Sequence, residues 1–216
     1  MVTKGAFKKY IESLASVKAP GPSTTFSMFH IVCALELLSE KPIGRNKLAE
    51  LLGVGEGAIR TVIRRLQEAG LITTSKEGCI LTEKGRKTWK KFEELFPARG
   101  EVEKNDLAHN EYNYAFLVKN IGHKVKSGID QRDAAIMGGA RRAIVIVSRN
   151  GNLVIESVSN SIEKDFPYAA SKILKNIKPE NNDVIIVAGA ETPLKAKRGA
   201  FAAAWVLIGD EERYPS

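Results

Sequence analysis

Two arginines four positions apart, Arg60 and Arg64, with Thr61 between them and Arg65 beside them, have the types and spacing to act on a polyanion. The apolar residues around them, Ile59, Val62, Ile63 and Leu66, follow the three-four alternation of one buried helix face. At about 100° per residue the opposite face carries Gly57, Thr61, Arg64 and Glu68, with Arg60 and Arg65 on its flanks. A helix of that width enters the major groove of duplex DNA, where an arginine forks onto guanine O6 and N7. Thr61 adds a hydroxyl or a methyl contact. Arg45, Asn46 and Lys47 open a shorter helix that runs to about Leu52, and Lys76 stands at the tip of a predicted hairpin. Contacts from these four go to phosphate and set position rather than sequence. The same arginines would also suit a solvated face on a protein-binding module.

A second group lies later in the chain. Lys126-Ser127-Gly128 leads to Asp130, a residue better suited to capping a helix than to chemistry. A strand over 183–188 runs through Gly189 into a helix with Thr192 as cap and Pro193 in its first turn. Free N–H groups there, with Lys195, Lys197 and Arg198 close by, suit an anionic metabolite. The expected ligand residues are Ser127, Gly128, Gly189, Thr192, Lys195 and Arg198. The alternative is a plain turn followed by solvated lysines. Catalysis has little support, because nothing unites His30, His109 and His123 with a nucleophile or with paired carboxylates. His30 and Cys33 lie three apart on an apolar helix, an incomplete ligand pair that reads as core. No cofactor, metal or catalytic residue is implied.

These side chains need elements to position them. Phe7, Tyr10, Ile11 and Leu14 predict a short helix closed by Ala19-Pro20-Gly21-Pro22. From Phe26 to Leu38 the apolar residues nearly surround a central, buried helix. Two further helices follow, the second ended by Gly70. Leu71 to Thr74 and Cys79 to Leu81 then read as a hairpin, and a last helix carries Trp89, Phe92, Leu95 and Phe96. Within this order, Asn46 to Arg60, Leu66-Gln67-Glu68-Ala69-Gly70-Leu71-Ile72 and Leu81-Thr82-Glu83-Lys84-Gly85 resemble the winged helix-turn-helix transcription regulators. The resemblance covers about Phe26 to Phe96. It implies that the supporting helix, turn, recognition helix and wing read double-stranded DNA, and that a homodimer reads two half-sites. Helix 83–96 and the N-terminal helix are the expected dimer surfaces.

The stretch 97–110 has little apolar pattern and reads as a linker, so we expect a DNA-binding domain over 1–98 and a second domain over 99–216. The second half alternates strand, helix, strand, strand, helix, strand, helix. Strands are expected over 112–119, 143–148, 153–156 and 183–188, and helices over about 130–138, 166–177 and 193–208. The fold class is therefore α/β (α+β): a winged helix followed by a small α/β sandwich, with helices over one face of the sheet in an order compatible with a ferredoxin-like arrangement. Gly128 to Ala140 and Ala188 to Ala200 are similar to the C-terminal domain of a group of uncharacterised archaeal winged-helix proteins, a resemblance that implies no activity. Gly199, Ala200 and Ala202 to Ala204 would let their helix approach a sheet or a symmetry mate closely.

Composition agrees. The net charge is +8, of which residues 1–100 carry +7. A basic half joined to a near-neutral half suits a polyanion-binding module attached to something else. Two well-separated cysteines exclude a disulfide framework and point to a reducing, cytoplasmic compartment. No apolar run reaches the roughly 18 residues of a membrane span, and the N-terminus lacks the pattern of a secretory signal. The sequence thus predicts a sequence-specific transcription regulator with a ligand-sensing or dimerisation domain. Its alternative is an enzyme whose α/β half acts on a small anionic substrate.

Overall fold

The computed structural model describes residues 3–16, 25–175 and 177–209. The turn expected at Ala19-Pro20-Gly21-Pro22 lies outside them. Among the described residues, the chain divides into two compact units, the first ending at Phe92 and the second spanning Glu93–Gly209.

The first unit contains α1 (Lys4–Ala15), α2 (Met28–Glu40), α3 (Arg45–Leu52), α4 (Glu56–Glu68), β1 (Ile72–Ser75), β2 (Gly78–Leu81) and most of α5 (Glu83–Leu95). Helix α2 buries seven side chains from Phe29 to Leu38 around most of its circumference, as its near-continuous apolar sequence requires. It starts where the Ser27 N–H donates to His30 Nδ1 at 2.9 Å, so His30 serves the helix end. Helix α4 inserts Ile59, Val62 and Leu66, each fully buried, into the same core. It ends in a Schellman motif: Gly70 N–H donates to Gln67 O and Leu71 N–H to Leu66 O, both at 2.8 Å, with Gly70 at φ +70°. Strands β1 and β2 form the expected antiparallel hairpin. Ile43, in the connection before α3, adds a third rung by exchanging backbone hydrogen bonds with Cys79 at 2.9 and 3.0 Å.

The second unit holds a five-stranded antiparallel sheet in the order β3-β4-β7-β5-β6. Its strands are β3 (Arg99–Glu101), β4 (Tyr112–Val118), β5 (Arg142–Arg149), β6 (Asn152–Val154) and β7 (Val184–Ala190), and its helices α6 (Ile129–Met137), α7 (Ile162–Asp165), α8 (Pro167–Leu174) and α9 (Pro193–Leu207). The hairpin between β5 and β6 turns through Asn150 and Gly151, both at positive φ, as an Asn-Gly pair favours. At the same end of β5, beside Ser148, the buried Asp183 carboxylate accepts from Lys119 Nζ at 2.9 Å and from the Asn120 and Glu180 N–H groups at 2.8 Å. That cluster holds the turn into β7.

Three expectations are corrected here. The linker 97–110 contains β3, followed by a turn in which Asn105 Oδ1 accepts from the N–H groups of Leu107 and Ala108 at 2.9 and 2.8 Å. Helices cover both faces of the sheet, not one. Ala115, Leu117, Ile146, Ile185 and Val187 meet Ile162, Ala170 and Ile173 of α7 and α8, while Phe116, on the other face, meets Phe96 and Phe201. Every residue of β7 is consequently buried. The strand order also departs from a ferredoxin-like sheet, in which the third strand of the β-α-β-β-α-β series lies between the first two. Here the last strand, β7, occupies that place between β4 and β5. Of the two uses open to the small residues of α9, the unit itself takes one: a side chain at Gly199 would lie 2.5 Å from Ala140 Cβ.

Candidate functional site

Arg60 and Arg64 project from α4 with 61% and 68% of their side chains exposed. Thr61 lies half-buried between them, its hydroxyl donating to Gly57 O at 3.0 Å. Nothing stands within 4 Å of where a side chain would begin at Gly55 or Gly57, so the start of the helix is open to an approaching surface. Arg45, Asn46 and Lys47 are exposed in the first turn of α3, whose N-cap Gly44 supplies no side-chain acceptor for the free N–H groups. A shallow concavity of about 500 Å³ joins Arg45, Asn46 and Lys47 to Ile63 and Gln67 of α4 and to Thr74 and Ser75 of the hairpin. Lys76 stands exposed at the hairpin tip. Seven of the eight expected nucleic-acid residues thus lie on α3, the outer side of α4 or the wing.

The eighth does not. Arg65 is buried: its Nη1 donates to Leu14 O at 3.0 Å and Ser16 O at 2.6 Å, and its guanidinium lies 5.1 Å from the centroid of the Phe26 ring. It satisfies carbonyls at the C-terminal end of α1, where a cation is favoured by the helix dipole. The helical wheel placed it on the flank of the basic face, but α1 covers that flank.

Carboxylates accompany the exposed cations. Glu56 Oε1 accepts from Arg60 Nη2 at 2.5 Å and lies 3.5 Å from Arg45 Nη2, while Lys47 Nζ donates to Glu50 at 2.7 Å. The hydrogen bond from Arg60, then the charges of Arg60 and Arg45, hold the Glu56 carboxyl below the ordinary glutamate range. These pairs are exposed to water and therefore weak, so phosphate can replace the carboxylate at small cost.

The second unit has a cleft of about 450 Å³ between the start of α6, the first half of β5, the turn 106–110 and residues 155–158. Ser127, Gly128 and Gly189, from two separate candidate segments, line it together. At Gly189 a side chain would lie 2.6 Å from the Oδ1 atoms of both Asn110 and Asn113, so glycine is what admits that turn against the sheet. Thr192, Lys195 and Arg198 are not among the lining residues. The Thr192 hydroxyl caps α9 by accepting from the Lys195 N–H at 3.3 Å, Lys195 Nζ pairs with Glu191, and Arg198 Nε donates to Gly138 O at 2.5 Å. The cleft adds residues that sequence reasoning passed over: Arg132 and Asp133 on α6, Arg142 at the start of β5, and Asn110 and Asn113 beside Gly189. No motif joined them, because the strand order that gathers them is not legible in spacing. Among the described residues, no helix is long and apolar enough to cross a membrane.

Comparison with known proteins adds relatives. A family model described as PH0730-like, N-terminal domain, matches residues 29–87, and one described as a domain of unknown function, DUF4443, matches residues 109–207. The solved structure of hypothetical protein PH0730 from Pyrococcus horikoshii OT3 is similar at 30% identity and a TM-score of 0.69, covering 84% of this chain and 92% of its own. A Mycobacterium tuberculosis MarR family protein, Rv2887, solved in complex with DNA, is 25% identical over 41% of this chain and 65% of its own, with a TM-score of 0.29. No curated protein matches.

Proposed function

The chain belongs to the family of the Pyrococcus horikoshii protein PH0730, and from that premise we propose that it is a winged-helix transcription regulator that binds double-stranded DNA in a sequence-specific manner. The observation that carries this reading is the outer face of α4, where Arg60 and Arg64 stand exposed beside the concavity that holds Arg45, Asn46 and Lys47. In this reading α4 enters the major groove, Arg60, Thr61 and Arg64 face base edges, and the start of α3 and Lys76 hold phosphates. The second unit acts as the ligand-sensing or dimerisation module of a cytoplasmic homodimer. Its effector position is the cleft at Ser127, Gly128 and Gly189 rather than the start of α9, whose Lys195 and Arg198 already serve Glu191 and Gly138.

The test is binding of the full chain to a duplex recovered by selection from genomic fragments, against a scrambled duplex. Arg64→Ala is expected to weaken specific binding by about 1 to 3 kcal/mol if it forks onto a base, with the preference at that base relaxed. Arg60→Ala is read in the same way. Unchanged affinity and base preference for both variants would remove α4 from the interface.

A further inference from the structure

Strand β5 has a partner along its length on one side and along little of it on the other. Arg142 to Val147 pair with β7, whereas β6 pairs only with Val147, Ser148 and Arg149. The chain then leaves the sheet at Ile155, whose N–H and C=O turn back to Ser159. Ser148 donates its N–H to Asp183 O, on the side of β7. Backbone groups alternate sides along a strand, so those of Ala143 and Val145 point the other way, past the end of β6. Among the described residues no hydrogen bond reaches them.

That open edge lies in the cleft. Ala143 and Val145 line it, with Gly128 against the Val145 side chain on one face of the sheet and Leu107, Ile144 and Ile155 on the other. The cleft therefore wraps around the edge of β5, and α6 and the turn 155–158 flank that edge without covering it. A donor and an acceptor repeat there every two residues, about 7 Å apart. A molecule that meets both must carry acceptors and donors at the same repeat, as a polypeptide backbone does and a simple anion does not. Charge narrows the choice further. Among the described residues Arg132, Arg142, Asp106 and Asp133 line the cleft without an ion pair, while Arg141 and Glu156 are taken up by Glu191 and Arg149. Two cations and two anions suit a zwitterion. A strand antiparallel to β5 continues the line of β6 and ends beside Arg142, so that its α-carboxylate meets a cation; a parallel strand would set its α-ammonium there.

We propose that the cleft binds a short free peptide, which adds to β5 as an antiparallel strand, pairs with the outward backbone groups of Ala143 and Val145, and sets its α-carboxylate at Arg142. This names the ligand class of the effector position and rests on that reading of the cleft. At about 450 Å³ the site has the size of a small-molecule pocket, so it holds a few residues and not a folded partner. Val125, Ile144, Val145 and Ile155 give it apolar walls, which favour apolar side chains on the peptide.

Trialanine, trivaline and trileucine with free termini, titrated into the isotope-labelled full chain and followed by amide exchange, test it. At least one is expected to bind and to slow exchange at Ala143 and Val145, with Ile144, whose N–H faces β7, unchanged. Amidating the C-terminus of that peptide weakens binding roughly tenfold, and Arg142→Ala does the same but adds nothing further with the amidated peptide. Ala143→Pro removes the outward donor where no ladder bond is lost and also weakens binding by roughly tenfold; circular dichroism confirms that both variants are folded. Failure of all three peptides to bind at up to about 10 mM overturns the proposal, as does binding that leaves exchange at Ala143 and Val145 unchanged. Isovalerate carries the branched end of valine and a carboxylate but no amide. If it occupies the cleft as tightly as the best tripeptide, the peptide class is overturned and the cleft keeps its place as the effector position. A tripeptide that binds with the expected protection, yet leaves the affinity of the full chain for its selected duplex unchanged, removes the effector role and leaves the peptide site standing.

Discussion

Arg64 and Arg65 are neighbours in sequence with opposite physical situations, and their substitution separates stability from recognition. Arg65 holds two α1 carbonyls from a buried position, and Arg65→Ala leaves them without their donor. It is expected to lower unfolding stability in urea by about 1 to 3 kcal/mol, whereas Arg64→Ala, on the exposed face, moves it by less than about 0.5 kcal/mol. Glu191 offers a pH signature of the same local kind. A hydrogen bond from Lys195, its own backbone N–H and Arg141 bring its carboxyl down from 4.5 to about 2. Because the folded value lies below the unfolded one, the stabilisation is complete above the unfolded value near 4.5 and is lost as pH falls through about 2. A carbon-13 titration of the full chain should place the Glu191 midpoint near 2, and Lys195→Met should move it up toward the ordinary glutamate range. A midpoint already in that range in the wild type would show that the pair does not persist in solution.

At the scale of elements, what the sequence revealed depended on how local the determining physics was. Helix α4 was legible because its period, its burial and its Gly70 cap all lie within the segment. The β5–β6 turn was legible because Asn-Gly sets its own backbone geometry. Strand β3 was not, since Arg99–Glu101 is three residues with no alternation and pairs only because β4 lies alongside. The two-sided cover of the sheet does have a local signal: Val184–Ala190 is apolar throughout, which marks a strand buried on both faces, not one. The position of Arg65 had none, because the wheel of a single helix says nothing of which neighbour covers each flank. The expected ligand residues divide for a similar reason, Ser127, Gly128 and Gly189 lining the cleft and the other three not. Thr192, Lys195 and Arg198 are adjacent along one helix, yet the cleft gathers residues from α6, β5, the 106–110 turn and the end of β7.

Charge is a property of the whole molecule, and here it decides between a specific interface and diffuse attraction. Residues 1–100 hold +7 of the total +8, yet on the proposed interface Arg45, Lys47, Arg60 and Arg64 stand within 4 Å of Glu50, Glu56 or Glu68. The field over α4 is therefore weaker than the count of its cations suggests, and binding must come from contacts that displace those carboxylates. Each cation that replaces a condensed counterion on the duplex adds about 0.9 to the slope of log affinity against log salt. If α3 and α4 make these contacts, Lys47→Ala and Arg60→Ala should each flatten the slope of the full chain by about 0.9 wherever the residue meets phosphate. Glu56→Gln, which frees Arg60 and Arg45, should tighten binding. Lys175→Ala and Lys195→Ala remove the same charge from the second unit, where both are paired with Glu103 and Glu191, and should leave the slope unchanged. Equal flattening by all four lysine and arginine variants would mean that the duplex senses net charge alone, and the winged helix would lose its claim to a defined face.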